Sequence, residues 1–354
     1  MIGGQTQKGG EGSEQRMAGR DYHEGMTVDQ VGALMSHIST IVRNQIEPFM
    51  AQANKLVDER LGHFQQKIEH MVHERDEVHM DAFADPDFQV ILRQAAQNYT
   101  RSGDEELAEM LLNMIATRSQ LDKPSRARIA MNMALDAVPR LTQTEFAIIL
   151  TVFLIRYTTI GSVAVNELGK LFRDIIGDSL PIIPPEANGA SWMMINAAGC
   201  GVVSVASIDL HTVFCERFAG LFSKGFTIEN ISTIIKETKI PTFFSLILKN
   251  CTHVPDRAQF NVLSIEELEN TLRSNGLPST QISELVNLVK STTMSISEMA
   301  STMRPEFPGI DLLIHLCKST PLAHLELTTT GIAVGHASFV RRSQVKVPLT
   351  SWIS

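Results

Sequence analysis

From Val31 to Val72, apolar residues recur in alternating steps of three and four: Val31, Leu34/Met35, Ile38, Ile41/Val42, Ile46, Phe49, Ala53, Leu56/Val57, Leu61, Phe64, Ile68 and Met71/Val72. This is the period of a helix with one apolar side. Thr27, with Gln30 three residues on, supplies a capping box at its start. An unbroken helix from Thr27 to about Asp81 would be roughly 80 Å long at 1.5 Å per residue, too long to lie on one small domain. Pro48 should kink it, since a mid-helix proline loses a hydrogen bond and crowds the preceding turn. Two arrangements satisfy the stripe. A stalk can bury it against another copy as a coiled coil, or a hairpin breaking at Pro48 can bury it within the chain. The stalk is the leading expectation, with Val31, Leu34, Ile38, Ile41, Phe49, Leu56, Leu61, Phe64, Ile68 and Met71 as the oligomer interface.

On either side of the stripe the pattern changes abruptly. Residues 1–25 hold seven glycines among polar residues, with little to bury. Such a leader is expected to be flexible alone, or to stack into strands when copies meet. After Asp85-Pro86 the chain reads as a helical array, with capping boxes beginning at Ser102 and Thr142. Three prolines and a glycine between Leu180 and Ser191 predict a boundary. Beyond it, helices beginning near Ser264 and Ser279 accompany an alternating His324–Thr328 strand and a last helix into Arg341-Arg342. The fold class expected is mainly α: a long N-terminal helix or helical hairpin, a helical-array body and a small α+β C-terminal part. The domains expected are a leader over 1–25, an oligomerisation segment over 26–84, a helical domain over 85–180 and a mixed domain over 190–354.

Charge and composition exclude several functions. The chain has 354 residues with 31 Lys+Arg against 39 Asp+Glu, a net charge of −8. That balance argues against sequence-independent nucleic-acid binding, which needs clustered cations on phosphates. The four cysteines, Cys200, Cys215, Cys251 and Cys317, lack Cys-x-x-Cys spacing and suit buried thiols in a reducing cytoplasm. The most membrane-like stretch, Phe146–Val165, loses its apolar run at Arg156 after about 10 residues, where a span needs about 20. A buried core helix is expected there. The Gly-, Ser- and Val-rich stretch Ser191–Ile208 suits strands or a closely packed helix equally.

No arrangement of reactive residues rises to an active site. His63, His70, His73 and His79 lie among Glu69, Glu74 and Glu77 but fan over several faces, without a His-Glu-x-x-His motif. Cys200, between Gly199 and Gly201, has no adjacent base to lower its pKa; glycines there more simply permit close packing. Lys123, Arg126 and Arg128 form one basic cluster, and Arg341, Arg342 and Lys346 another. The second is the candidate nucleic-acid contact if the C-terminal strand and helix form a winged-helix unit. No catalytic residue, metal or cofactor is expected.

Several segments resemble a functionally uncharacterised family of bacterial proteins. They are Gln5–Ser13, Asp85–Gln89, Tyr99–Asp104, Met133–Thr142, Gly199-Cys-Gly201 with Ser204, Leu327–Ala337 and Ser351–Ile353. The resemblance covers nearly the whole chain and implies fold more than activity. More loosely, the leader is similar to those preceding some bacterial immune proteins, and Leu-Thr-x-x-Gly to C-terminal units of phage-exclusion proteins and winged-helix wings. The expectation is a non-enzymatic, self-associating cytosolic scaffold, sensor or effector in bacterial antiphage defence. Its partner is a second copy, with another defence protein or phage component as a further candidate. The alternatives are a nucleic-acid-binding regulator and a membrane-disrupting effector.

Overall fold

The computed structural model describes residues 28–41, 43, 47–75, 78–121, 124–161, 164–184, 189–238 and 241–354. These are mainly helical, with two small antiparallel two-stranded sheets. The described part of the stripe lies on α1 (Val28–Ile41) and α2 (Glu47–Glu74), with Arg43 π-helical between them. Pro48 is the second residue of α2. Helix α2 stops at Glu74 rather than Asp81, and a short 3-10 turn over Met80–Ala84 leads to the extended backbone that Pro86 demands of Asp85. The leader and Thr27 lie outside the described residues.

The chain divides into two units, Met1–Glu59 and Arg60–Ser354. In the first, none of the described side chains is buried.

The second unit begins its helical array with α3 (Pro86–Ser102), capped by the Asp85 carboxylate and ended by Gly103 at φ 66°. Asp104, rather than the expected Ser102, caps α4 (Glu105–Ser119), accepting from the Glu106 and Leu107 amides. Ser125 caps α5 (Arg126–Ala137). The expected Thr142–Glu145 capping box opens α6 (Gln143–Val152), which runs into a π-helical turn over Phe153–Tyr157. Helix α7 (Val165–Phe172) also ends in a π turn, over Arg173–Gly177. Phe146–Val165 is thus a core element: Ile148, Ile149, Val152, Phe153 and Ile155 are buried, and Arg156 pairs with Glu326 at 2.9 Å. Among the described residues no helix is long and apolar enough to cross a membrane. The ambiguous Ser191–Ile208 stretch is divided between α8 (Gly189–Ala197) and β1 (Gly201–Val203).

A second apolar cluster follows. Helices α9 (Ser232–Thr238) and α10 (Pro241–Ile247), the β2 (Leu248–Asn250) and β3 (Ala258–Phe260) hairpin, and helices α11 (Ile265–Ser274) and α12 (Ser279–Thr292) enclose Ile231, Phe244, Phe260, Leu268, Leu272 and Leu285. The chain then returns to the main core through α13 (Ile296–Met303), α14 (Ile310–Ser319), β4 (Leu325–Leu327) and α15 (Thr329–Ser343). Strand β4 pairs antiparallel with β1, Gly201 opposite Leu327.

Helix α15 is the hub of the main core. From Thr330 to Phe339 every residue but Ile332 is buried, and the helix packs on α4, α5 and α6. Its small residues permit this. A Cβ on Gly331 would fall 1.8 Å from the Cys200 carbonyl oxygen, and one on Gly335 would fall 2.7 Å from Phe153 Cβ. The main core therefore draws on residues from Phe64 to Ile353, and the expected boundary near 180–190 falls inside the second unit.

Candidate functional site

The helical stripe meets two fates. In the first unit Val31, Leu34, Ile38, Phe49 and Leu56 are exposed, Phe49 by 71%, together with Met35, Met50 and Val57; Ile41 is half-buried. In the second unit the same stripe packs within the chain. Phe64 is fully buried, its ring stacked 5.4 Å from that of Tyr99, Met71 is buried, and Ile68 packs on the core. Leu61 is half-buried. At its C-terminal end the expected interface thus falls on core residues, Phe64 and Met71 both being buried within the chain. The exposed apolar residues of the stripe lie between Val31 and Val57.

Polar chemistry on α2 is paired. The Tyr99 hydroxyl donates to Glu105 at 2.6 Å and receives a hydrogen bond from His63 Nδ1 at 2.8 Å. Burial, followed by the Glu105 carboxylate, pushes the Tyr99 pKa up to about 12. Lys67 bridges Glu105 and Glu109 at 3.1 and 2.9 Å. His70 meets Glu74 at 3.1 Å, and His73 hydrogen-bonds the Glu69 carbonyl at 2.8 Å; Glu77 lies outside the described residues. No group of three or more His, Cys, Asp or Glu side chains among the described residues is placed to hold a metal.

One polar cluster was missed by the sequence. Arg118, 1% exposed, donates to Asp87 at 2.6 Å and Asn132 at 2.7 Å, and lies 5.7 Å over the Phe88 ring. Arg128 reaches both Asp85 and Asp87 at 2.7 Å. The hydrogen bond from Arg128 is the largest cause holding Asp87 at about 2, well below the usual carboxylate range. Arg128, expected as one of a basic cluster, is thus a partner in an internal ion network. Arg126 reaches the Ser354 carbonyl at 3.3 Å; Lys123 lies outside the described residues. Asp-Pro-Asp at a helix start, followed by Arg-x-Arg at another, was the available signal.

Cys200 is fully buried, and burial pushes its thiol up to about 11, the opposite of nucleophile activation. The histidines that follow it in sequence and could have served as a distant base, His211 and His253, hydrogen-bond other groups, Thr293 at 3.4 Å and the Leu221 carbonyl at 2.7 Å.

The candidate nucleic-acid residues are not arranged as a winged-helix surface. Helix α15 is buried over most of its length and offers no free face to a groove. At its last turn Arg341 and Arg342 are half-buried and line a cavity of about 190 Å³. Ser338 of the same helix, Ser179, and apolar side chains of α4 and α6 complete much of the wall. Burial first, then the neighbouring Arg341 charge, pulls the Arg342 pKa below its ordinary value. Lys346 is exposed beyond the helix and borders a different hollow, beside His336 and Val347.

A protein-family model whose whole description is ":-like" matches residues 25–353. The chain belongs to this family. The match takes in the described helices of both units and the two small sheets. No curated protein and no solved structure matches the chain significantly.

Proposed function

We propose that this family member acts by self-association through α1 and the first half of α2, as a non-enzymatic scaffold, sensor or effector. The observation that carries this reading is the stripe of Val31, Leu34, Met35, Ile38, Phe49, Met50, Leu56 and Val57, exposed on helices with no buried side chain of their own among the described residues of the first unit. Short helices in water gain most of their stability from packing an apolar face, so these need a partner surface. A second copy supplies one of matching period. Cytoplasmic location and a setting in bacterial antiphage defence belong to the same proposal. Their support is the cysteine pattern and the motif resemblances of the leader and the Leu327–Ala337 unit.

Light scattering coupled to size exclusion tests it on the full chain. The expected result is a defined multimer that dissociates when Leu34→Glu, Ile38→Glu and Leu56→Glu are combined, with far-UV ellipticity of the body retained. A monomeric wild-type chain at tens of micromolar, or a triple variant with unchanged mass, sinks the proposal.

A further inference from the structure

We propose that the cavity walled by α4, α6 and the last turn of α15 binds a small molecule carrying a carboxylate on a short apolar chain. Two independent features point there. Arg341 and Arg342 both line the cavity, and neither has an ion-pair partner among the described residues. Two guanidinium groups held together largely out of water, with Asp178 and Glu106 acting on Arg342 only from beyond ion-pair distance, favour an anion that joins them directly. Ser179 also lines the cavity, 1% exposed, and its Oγ has no hydrogen-bond partner. Buried hydroxyls are nearly always paired in native proteins, so this one, on turning toward the cavity, would gain its partner from a ligand oxygen. Ser338, 3% exposed, is almost as poorly served, with only the Met110 sulfur at 3.9 Å.

The other walls select the rest of the ligand. Leu107, Phe146, Leu150 and Ile182 offer an apolar surface, which suits a hydrocarbon chain. A cavity of about 190 Å³ lies below the usual range for drug-sized ligands and suits a small one. Asp104 and Glu106 stand at the same cavity, but each is engaged as an acceptor: Asp104 by the amides of Glu106 and Leu107, Glu106 by the Gln143 side chain at 2.8 Å. Their charges, with that of Asp178 near Arg342, oppose a dianion more strongly than a monoanion. A carboxylate meets both requirements: its two oxygens can accept from both guanidinium groups and from a serine hydroxyl while adding one charge.

Isothermal titration calorimetry of the full chain with hexanoate tests the site, with hexan-1-ol and hexyl phosphate as comparison ligands. Hexanoate should bind once per chain, with hexan-1-ol and hexyl phosphate each about tenfold weaker or more. Arg342→Gln should weaken hexanoate by about tenfold. Ser179→Ala should weaken it about threefold yet leave the melting temperature without hexanoate unlowered, because the change removes an unpaired hydroxyl. Three results would overturn the proposal: no saturable hexanoate binding, affinity unchanged in both variants, or hexan-1-ol binding as tightly. Hexyl phosphate binding as tightly as hexanoate overturns the carboxylate assignment. None of these results depends on whether the chain self-associates.

Discussion

Replacing Arg118 with methionine isolates the energetic role of the buried ion network. The guanidinium makes charged hydrogen bonds at 2.6 Å to Asp87 and 2.7 Å to Asn132, and sits within 3.9 Å of Asp85. Each charged bond contributes about 1.5–3 kcal/mol net. Methionine restores much of the aliphatic stem, so lost packing adds little. Arg128 still neutralises both carboxylates at 2.7 Å, which holds the damage below the sum of the two bonds. The expected loss is about 3–4 kcal/mol, in the range for breaking a buried pair by removing one partner. Urea unfolding at pH 7, followed by far-UV ellipticity, should show a lower midpoint at unchanged slope. Adding Asp87→Asn should cost less in the Arg118→Met background than in wild type. A loss below about 1 kcal/mol, or strict additivity of the two changes, would refute the assignment of Arg118 as the network's anchor.

The same network has a pH signature. Asp87 is held at about 2 against an ordinary 3.8, so its stabilisation is complete above 3.8 and is lost as pH falls toward 2. Its side chain is 44% exposed, and solvent screening reduces the contribution to about 1 kcal/mol. Asp87→Asn should flatten the stability curve in that window. Burial lowers the His336 pKa below 6.5, with a partial offset from its hydrogen bond to the Val347 carbonyl at 2.7 Å. Stability from a neutral His336 is complete above about 6.5 and falls as the pH drops below it. His336→Gln should remove that slope in denaturation series between pH 7 and 5. Gly331→Ala drives a methyl into the Cys200 carbonyl and should cost about 3 kcal/mol or more by urea denaturation. Gly62→Ala in α2, with nothing within 4 Å of the added carbon, should stabilise by about 0.5–1 kcal/mol. Iodoacetamide at pH 8 should leave Cys200 unmodified in the native chain, since its thiol is buried and raised to about 11; rapid labelling confined to the native state would contradict this.

Local signals were legible wherever neighbours in sequence settle them. Thr142 with Glu145 forms the capping box expected of it, the helix expected near Ser264 begins with that serine accepting from the Glu267 amide, and Gly276 at φ 79° closes α11. The alternating Leu325–Leu327 segment is a strand followed by a helix. Ser102 failed as a cap because Asp104, nearer the first turn, reaches two amides. The Ser295–Glu298 capping box of α13 was equally local and was overlooked.

The sequence by itself determined that this is a mainly helical protein and where an apolar stripe runs along α1 and α2, because helix periodicity and caps are properties of residues three or four apart. It could not say which half of that stripe the chain would use for itself. Tertiary structure decided that Phe64 and Met71 are core while Val31 to Val57 stay exposed. It also decided that a helix ending in two arginines lies at the centre of the fold, with those arginines at a cavity beside an unpaired serine. Both outcomes depend on contacts across many residues, such as Gly331 against Cys200 and Arg118 against Asp87. Pairings at that separation leave no period in the chain; they exist only once the backbone has brought distant residues together.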